Sequence, residues 1–296
     1  MKNESAVDIF ARGKLLLTGE YAVLDGAPSL ALPVLSGQPL QASVTNQMGK
    51  LFWESLNSRG KSWFQAVFSV PDLFVLQASS AGTGETLQQL LQACRRQNPE
   101  FLKAPDGLRV RTQTDFPRTW GLGTSSTLIA ALARWADVDP YEVLFETLGG
   151  SGYDIACAFA EGPLLYRLEG EKPIVEPVEF FPDFADRLFF IFLEKKQNSR
   201  DAIRRYRELT TDKAGLIETI SKLTRQCLEA RTLTDFSAVL LEHEQAISRA
   251  LALPRAQDLY FPDFPGVVKS LGAWGGDFVL AASTLEPAET RAYFSG

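Results

Sequence analysis

The alternation of apolar and polar residues along the chain predicts a protein that mixes strands with helices. Residues 108–113 alternate as a half-buried strand does, and residues 164–168 also predict a strand. Residues 187–194 are almost continuously apolar, which is typical of a strand buried on both faces. Tryptophans and phenylalanines recur through residues 50–70 at a spacing that predicts a hairpin or two. The first half of the chain is therefore expected to be rich in β-structure.

Helices are predicted where apolar residues recur every three or four positions. The strongest helix former is Leu-Ile-Ala-Ala-Leu-Ala-Arg-Trp-Ala at residues 128–136, so the hydroxyl residues just before it should form the first turn of a helix. Asp139 followed by Pro140 predicts the start of another helix, which ends at a pair of glycines. Further helices are predicted at residues 85–97, 212–230 and 234–251. In the last of these, His243 lies near the apolar stripe and is assigned a structural role.

Length, charge and residue usage exclude several classes of protein. The 296 residues, 45% of them apolar, are enough for one large or two medium domains, and a polar connection with two prolines at residues 169–177 is the predicted boundary. The net charge of −6 argues against nucleic acid or an anionic membrane as partner, so an anionic substrate would need a local basic pocket.

Cysteine and histidine usage narrows the chemistry further. Three scattered cysteines without a CxxC pair and a single histidine argue against a disulfide framework, a zinc site and a Ser-His triad. The sequence has no apolar run long enough to span a bilayer, and its first eight residues are polar rather than signal-like. The protein is therefore expected to be cytoplasmic.

The strongest candidate for chemistry is Pro-Arg-Thr-Trp-Gly-Leu-Gly-Thr-Ser-Ser-Thr at residues 117–127. It joins two glycines and a run of hydroxyl residues to a helix, and the N–H groups and dipole of such a helix start attract phosphate. Ser125 or Ser126 could then ligate the Mg²⁺ that accompanies a nucleotide. The candidate nucleotide-binding residues are Gly121, Leu122, Gly123, Thr124, Ser125 and Ser126. No lysine stands where a Walker loop requires it, and a turn that only opens a helix would have the same pattern.

Three charged side chains are candidates for catalysis or metal binding. Asp154 follows three glycines among small and apolar residues, which suits a general base, although capping a helix would explain it as well. Lys14 stands at the edge of an apolar run, where a buried ammonium would need an anion; a surface lysine is the alternative. Glu146 could help to hold a metal ion, or it could face solvent on its helix.

Two further stretches could contact a substrate. The basic segment at residues 195–200 precedes a predicted helix and could clamp a carboxylate or a phosphate, although solvated charges explain it equally well. Its relevant residues are Lys195, Lys196, Ser199 and Arg200. The glycine-rich turn at residues 272–277 could bring backbone N–H groups to a phosphate, and a hairpin turn is the alternative.

Three motifs occur along the chain in a fixed order. The first is Ala-Arg-Gly-Lys at residues 11–14 with Gly-Glu-Tyr-Ala-Val-Leu at 19–24, the second is Pro-x-x-x-Gly-Leu-Gly-Thr-Ser-Ser at 117–126, and the third is Gly-Ala-Trp-Gly-Gly-Asp at 272–277. Together they resemble the motifs of the GHMP kinase family, in its mevalonate kinase and phosphomevalonate kinase branch, with phosphomevalonate kinase the most similar. The departures are Thr124, Thr127 and Trp274, where the family has serine, alanine and glycine.

The resemblance implies an α+β protein with the two-domain GHMP kinase fold. Its N-terminal domain would be like domain 2 of ribosomal protein S5, and its C-terminal domain would be ferredoxin-like. Residues 1–177 would bind ATP, and residues 178–296 would contribute to the substrate site. ATP and Mg²⁺ are the implied cofactors.

The resemblance also implies roles for individual residues. Asp154 matches the catalytic base, Lys14 matches the lysine that activates the hydroxyl and stabilises charge, and Ser125 or Ser126 matches the phosphate and Mg²⁺ ligand. The glutamate that completes the Mg²⁺ shell in the family aligns cleanly with neither Glu142 nor Glu146, and of the two Glu146 is the predicted ligand. Substrate contacts are expected from Glu20, Tyr21, Ser151, Lys195, Lys196, Ser199, Arg200, Gly275 and Gly276.

The expected function is transfer of the γ-phosphate of ATP to a hydroxyl or phosphate of a small anionic substrate. Phosphomevalonate is the expected substrate, which would place the protein in the mevalonate pathway of isoprenoid biosynthesis. The alternatives are a mevalonate kinase, a diphosphomevalonate decarboxylase and a non-catalytic nucleotide-binding regulatory protein. The oligomeric state stays open, with a homodimer as one option.

Overall fold

The computed structural model describes residues 7–195, 199–208, 213–272, 274 and 276–295. Contacts divide the chain into two compact units that are interleaved in sequence. The first unit contains the chain up to Lys14, Pro33–Arg118 and Leu122–Ala160, and the second contains Leu15–Leu32, Thr119–Gly121 and the chain from Glu161 onward. Residue 177 lies inside the second unit, and a domain boundary at that point stays a prediction.

The first part of the chain supplies most of the strands. They are β1 (Val7–Leu16), β2 (Ser29–Thr45), β3 (Lys50–Leu56), β4 (Ser62–Ser69), β5 (Val75–Ala78) and β6 (Gly107–Gln113). In the first unit β5, β4, β3, β6 and β2 pair in that order, and only β3 and β6 run parallel. The hairpin predicted within residues 50–70 is confirmed as β3 and β4, with Trp53 opposite Ala66.

Two of the helices of the first unit begin where local sequence signals predict. The helices of this unit are α1 (Ala81–Gln97), α2 (Thr124–Ala136), α3 (Pro140–Thr147) and α4 (Tyr153–Cys157). The hydroxyl residues do form the first turn of α2, and α3 begins at Pro140 because the Asp139 side chain accepts a hydrogen bond from the Tyr141 N–H at 2.8 Å. Helix α1 begins at Ala81 rather than at residue 85, so two glycines lie inside it.

A single apolar core joins these helices to the strands. Trp53 and Phe68 from the hairpin, Leu91 from α1 and Ile129 from α2 are at most 2% exposed and belong to the same cluster. Burying a side chain of this size stabilises a fold by roughly 1.5–3 kcal/mol. This core holds the start of α2 in a defined place.

The second unit contains the remaining strands and helices. The strands are β7 (Leu164–Glu169), β8 (Lys172–Pro177), β9 (Leu188–Phe192), β10 (Gly266–Leu271) and β11 (Phe278–Ser283). The helices are α5 (Ser199–Arg207), α6 (Lys213–Glu229), α7 (Leu233–Leu251), α8 (Ala256–Tyr260) and α9 (Pro287–Ser295). Strands β10, β11 and β9 pair antiparallel in that order, and β7 pairs with β8 and with the first residues of β2.

Two sequence predictions about the second unit were wrong. The apolar run at residues 187–194 is not buried on both faces: within the described chain β9 pairs with β11 alone, its residues are half-buried, and Phe190 is 44% exposed. The polar connection at residues 169–177 contains strand β8, which pairs with β7. Pro173 and Pro177 are tolerated there because an edge strand need not donate every N–H group.

Helices α6 and α7 pack in the core of the second unit. Leu223 from α6 and Phe236, Leu240 and Ile247 from α7 are at most 1% exposed. His243 lies fully buried on the same helix, as expected of a structural residue. None of the helices in the described ranges combines the length and the apolar character needed to cross a membrane.

Candidate active site

The start of helix α2 is shaped to hold an anion. Gly123 is its N-cap with φ +90°, a backbone conformation that residues with a side chain rarely adopt. A glycine also has no side chain with which to cap the helix. The first N–H groups of the helix are therefore available to a ligand. Ser125 is exposed in this turn, whereas Ser126 is buried. Of the two serines, Ser125 presents its hydroxyl towards solvent.

Lys14 lies against this turn within the first unit. Its backbone N–H donates to the Leu122 carbonyl at 3.0 Å, and a Cβ added to Gly123 would lie 3.4 Å from the Lys14 side chain. The same hypothetical Cβ would lie 4.0 Å from Cβ of Asp154. The glycine therefore lets the backbone approach both charged residues closely.

Asp154 reaches the start of α2 from the first turn of α4. One carboxylate oxygen accepts a hydrogen bond from the Ser126 hydroxyl, and the other accepts from the Ile155 N–H at 3.2 Å. Asp154 lies inside the first turn of α4, whose N-cap is Gly152, so it does not cap the helix, and its carboxylate reaches the candidate phosphate loop. The structure brings together Lys14, Ser126 and Asp154, which the sequence separates widely.

The electrostatics of this cluster keep Lys14 charged. Burial by itself lowers the pKa of Lys14, but Tyr153 and Asp154 together more than offset it, and the net pKa lies above its ordinary value. Burial is also the main cause of the raised pKa of Tyr153, whose hydroxyl stays protonated. Burial raises the pKa of Cys157 to about 12, so its thiol is no nucleophile. The cluster thus contains one ammonium and one carboxyl group at the end of a helix.

A cavity of about 350 Å³ opens beside the first turn of α2 in the first unit. Aromatic and aliphatic side chains from the β3–β4 hairpin, α1 and α2 form part of its wall. These are Trp53, Trp63, Phe64, Leu87, Leu90 and Leu128. The guanidinium of Arg118 stacks over the Trp63 ring, 3.4 Å from its centroid. Thr124 and Ser125 are among the polar residues of the lining. The size and mixed lining are those of a pocket for a small organic ligand.

The carboxylates that could bind a metal ion do not form a cluster in the described residues. Glu146 forms a salt bridge with Arg96, and both side chains are about half exposed. The described ranges contain no group of three or more His, Cys, Asp and Glu side chains that could hold a metal ion. A role of Glu146 in Mg²⁺ binding stays a prediction. Ser151 is buried in the glycine loop that precedes Asp154.

The third motif and the first motif meet in the second unit. The Trp274 N–H donates to the Tyr21 hydroxyl at 2.8 Å, and the Trp274 indole donates to the Pro254 carbonyl at 2.9 Å. Trp274 is 6% exposed, so the tryptophan that replaces the family's glycine points into the core. Gly276 lies buried in the same turn. A Cβ on Gly121 would lie 2.1 Å from an Asp277 oxygen, so a larger residue could not stand there.

The basic segment after β9 is described only in part. The Asp277 N–H donates to the Lys195 carbonyl at 2.8 Å, and the Lys195 ammonium lies 3.8 Å from the centroid of the Tyr260 ring. Lys196 and Gly275 lie outside the described residues, and only the backbone of Ser199 and Arg200 is described, at the start of α5. Substrate binding by this segment stays a prediction.

Glu20 belongs to a buried polar cluster in the second unit. Its side chain is 1% exposed and pairs with the ammonium of Lys269 from β10 at 2.5 Å. His243 accepts a hydrogen bond from the Gly19 N–H at 3.0 Å, and Glu244 accepts from the Ser270 hydroxyl at 2.9 Å. The Glu20 carboxylate faces other buried groups, and its contact with a substrate stays a prediction.

The charges of this cluster are set by burial. Burial raises the pKa of Glu20 to about 7, although Lys269 acts in the opposite direction. Burial, reinforced by the Lys269 charge, lowers the pKa of His243 well below its ordinary value, so the imidazole stays neutral. The cluster ties the first motif to α7 and to the strand that leads into the third motif.

Sequence reasoning missed four residues that the structure brings into these sites. Arg118 and Trp63 line the cavity, Tyr153 contacts Lys14, and Lys269 pairs with Glu20. Lys269 carried a usable signal, because a lysine inside the apolar run of β10 must find a buried partner. Arg118, Trp63 and Tyr153 carried no such signal, since their partners are remote in sequence.

The topology and the site together define a class of protein: the chain has the fold of the GHMP kinases, as its motifs predicted. Particular structures make the likeness concrete. The mevalonate kinase of L. major, solved with R-mevalonate, superposes with a TM-score of 0.69 at 14% identity, over 100% of this chain and 92% of that chain.

Two further structures show the breadth of the likeness. The phosphomevalonate kinase of Streptococcus pneumoniae, solved with phosphomevalonate and AMPPNP, gives a TM-score of 0.70 at 15% identity, over 97% of this chain and 95% of that chain. The galactokinase of Lactococcus lactis gives a TM-score of 0.62 at 13% identity, over 97% of this chain and 87% of that chain. No family model matches the sequence, and neither does any curated protein.

Proposed function

We propose that this protein is a GHMP kinase that transfers the γ-phosphate of ATP to a small anionic substrate. The observation that carries the proposal is the cluster at the start of α2, where Lys14 and Ser126 both approach Asp154 beside helix N–H groups that can hold phosphate. A phosphate-binding turn alone would fit many proteins. A carboxylate and an ammonium at the same turn fit transfer of a phosphoryl group.

The cavity supports ATP as the phosphate donor. Its lining includes Thr124 and Ser125 at the phosphate-binding turn and the rings of Trp53, Trp63 and Phe64. A base seated against such rings would leave its phosphates near the helix start, where the N–H groups lie. The first unit therefore contains candidate contacts for both the base and the phosphates of a nucleotide.

The residues present also fit Mg²⁺. The hydroxyls of Ser125 and Ser126 stand at the helix start, and hydroxyl and phosphate oxygens are the hard ligands that this ion prefers. Bound there, Mg²⁺ would neutralise charge on the β- and γ-phosphates. Glu146 is our proposed additional carboxylate, although its present partner is Arg96.

The reaction assigns a separate task to each charged side chain. Asp154 accepts the proton of the substrate hydroxyl, because its carboxylate lies at the edge of the phosphate-binding turn. Lys14 stabilises the negative charge that develops during transfer, since Tyr153 and Asp154 keep its ammonium protonated. The helix N–H groups hold the phosphates in place.

The finer proposal is that the substrate is phosphomevalonate and that the protein acts in the mevalonate pathway. It is supported by the similarity of the motifs to phosphomevalonate kinase and by the likeness to the S. pneumoniae enzyme. Residues of the first and third motifs and of the segment from Lys195 to Arg200 would contact this substrate. The cytoplasmic location and a homodimer stay predictions.

A coupled ADP-release screen over mevalonate, phosphomevalonate, homoserine and sugars tests the substrate. We expect ADP release to be fastest with phosphomevalonate. Faster release with mevalonate would assign a mevalonate kinase, and release of carbon dioxide with mevalonate diphosphate would assign a decarboxylase. Tight ATP binding without transfer to any of these compounds would contradict the kinase proposal and favour a regulatory protein.

Replacing Trp63 with alanine tests the cavity. The Trp63→Ala variant should bind ATP about tenfold more weakly, because stacking of a base on an aromatic ring contributes roughly 1–3 kcal/mol. Turnover at saturating ATP should change little, since Trp63 lies outside the charged cluster. Calorimetric titration of ATP together with the KM for ATP measures both effects.

Phe181→Ala is the matched control for this variant. Its ring is 81% exposed and does not line the cavity, so ATP affinity should stay at the parent value. If Trp63→Ala binds ATP as tightly as the parent does, the base does not occupy this cavity.

A further inference from the structure

Tyr153 is the unassigned side chain closest to the proposed chemistry. It immediately precedes Asp154 in the first turn of α4, and its ring centroid lies 5.3 Å from the Lys14 ammonium. The Tyr153 hydroxyl also shares a hydrogen bond with the Lys14 side chain. Two consecutive residues of one helical turn therefore interact with the same ammonium, Asp154 through its carboxylate and Tyr153 through its phenol.

The two partners act differently on the ammonium. A carboxylate paired tightly with a cation holds its proton less readily, which would weaken Asp154 as a base if it alone had to hold Lys14. A phenol accepts a hydrogen bond and offers a ring face without cancelling the charge. Tyr153 can perform this role because its own pKa is raised by burial and its hydroxyl stays neutral.

We propose that Tyr153 is a positioning residue that holds the Lys14 ammonium beside Asp154 without neutralising it. The hydroxyl accepts a hydrogen bond from Lys14, and the ring lies within cation–π distance of the same ammonium. The role assigned to Tyr153 rests on the proposed kinase function of Lys14 and Asp154.

Replacing Tyr153 with phenylalanine tests the hydroxyl and keeps the ring. The kcat of Tyr153→Phe should fall about tenfold, because a hydrogen bond to a charged group is lost, while the KM for ATP changes by less than about twofold. As the pH is raised, Tyr153→Phe should also lose activity at a lower pH than the parent does. Tyr153 raises the pKa of Lys14, so its removal lowers the pH at which the ammonium loses its proton.

Tyr293→Phe is the matched control. Tyr293 lies in α9 of the second unit, and its hydroxyl donates to the Asp263 carboxylate at 2.6 Å. That variant should keep the parent's kcat and alkaline limb. Tyr153→Met, which also lacks the hydroxyl and fills apolar space, replaces Tyr153→Phe if the latter does not fold. A folded variant whose kcat and alkaline limb coincide with those of the parent would overturn the proposal.

A readout independent of turnover separates this proposal from the kinase proposal. Acetylation of Lys14 by acetic anhydride, followed across pH by mass spectrometry, reports when its amine becomes unprotonated. In Tyr153→Phe this modification should begin at lower pH than in the parent. An unchanged profile would refute the contact with Tyr153, whereas a shifted profile in a protein without kinase activity would refute only the kinase function.

Discussion

Asp154→Asn is expected to slow turnover by about a hundredfold or more while ATP binding stays nearly intact. Asparagine keeps the size of the side chain, and its single amide oxygen can still accept from one of the two donors, the Ser126 hydroxyl or the Ile155 N–H. It cannot accept the proton of the substrate hydroxyl. Steady-state turnover in the ADP-release assay, together with calorimetric titration of ATP, measures the two quantities separately.

Asp139→Asn is the control for this variant. Asp139 is the N-cap of α3 in the same unit, and asparagine caps a helix about as well as aspartate does. Its turnover should match that of the parent. Near-normal turnover of Asp154→Asn would refute the assignment of Asp154 as the base.

Lys269→Met should lower the free energy of unfolding by about 3–5 kcal/mol, because removing one partner leaves the other charge buried and uncompensated. Lys269 is fully buried and Glu20 is 1% exposed, so water cannot replace the lost partner. The variant also loses the hydrogen bond from Lys269 to the Ser270 carbonyl at 2.8 Å. Urea unfolding at about pH 8, where Glu20 is mainly ionised, measures the loss.

Two comparisons make this experiment specific. Lys103→Met removes the partner of Glu100 on the surface, where both side chains are more than half exposed, and should cost less than about 1 kcal/mol. The double variant Glu20→Gln with Lys269→Met removes both charges and should recover part of the lost stability. If Lys269→Met costs no more than the surface variant, the buried pair does not hold the second unit together.

The same cluster gives stability a pH dependence of known sign. Burial raises the pKa of Glu20 from 4.5 to about 7, so its stabilising contribution is present below pH 4.5 and is lost as the pH rises through about 7. Glu244, whose pKa burial also raises, acts in the same direction, whereas neutral His243 acts in the opposite one. Unfolding of Glu20→Gln across this range should show a smaller loss of stability with rising pH than the parent.

Local signals predicted most of the elements around the site. The hydroxyl residues before residues 128–136 form the first turn of α2, and the Asp139-Pro140 pair begins α3. Such signals succeed because capping, proline geometry and helix propensity act between residues only a few positions apart.

The errors arose where burial depends on remote neighbours. An apolar run such as residues 187–194 predicts burial, but how many faces are covered depends on which strands pair with β9. Strand β8 formed in a polar, proline-containing segment because β7 offered an edge to pair with. Neither outcome could be derived from the residues of the strand itself.

By itself the sequence determined which residue types stand at the turns: glycines and hydroxyls before α2, an acid after the glycine loop and a lysine near the end of β1. Only the tertiary structure decided that Asp154 bonds to Ser126, 28 positions earlier, and that Glu20 pairs with Lys269, 249 positions later. Backbone conformation is set by neighbours along the chain, whereas the charge and partner of a buried side chain are set by whatever the fold packs against it.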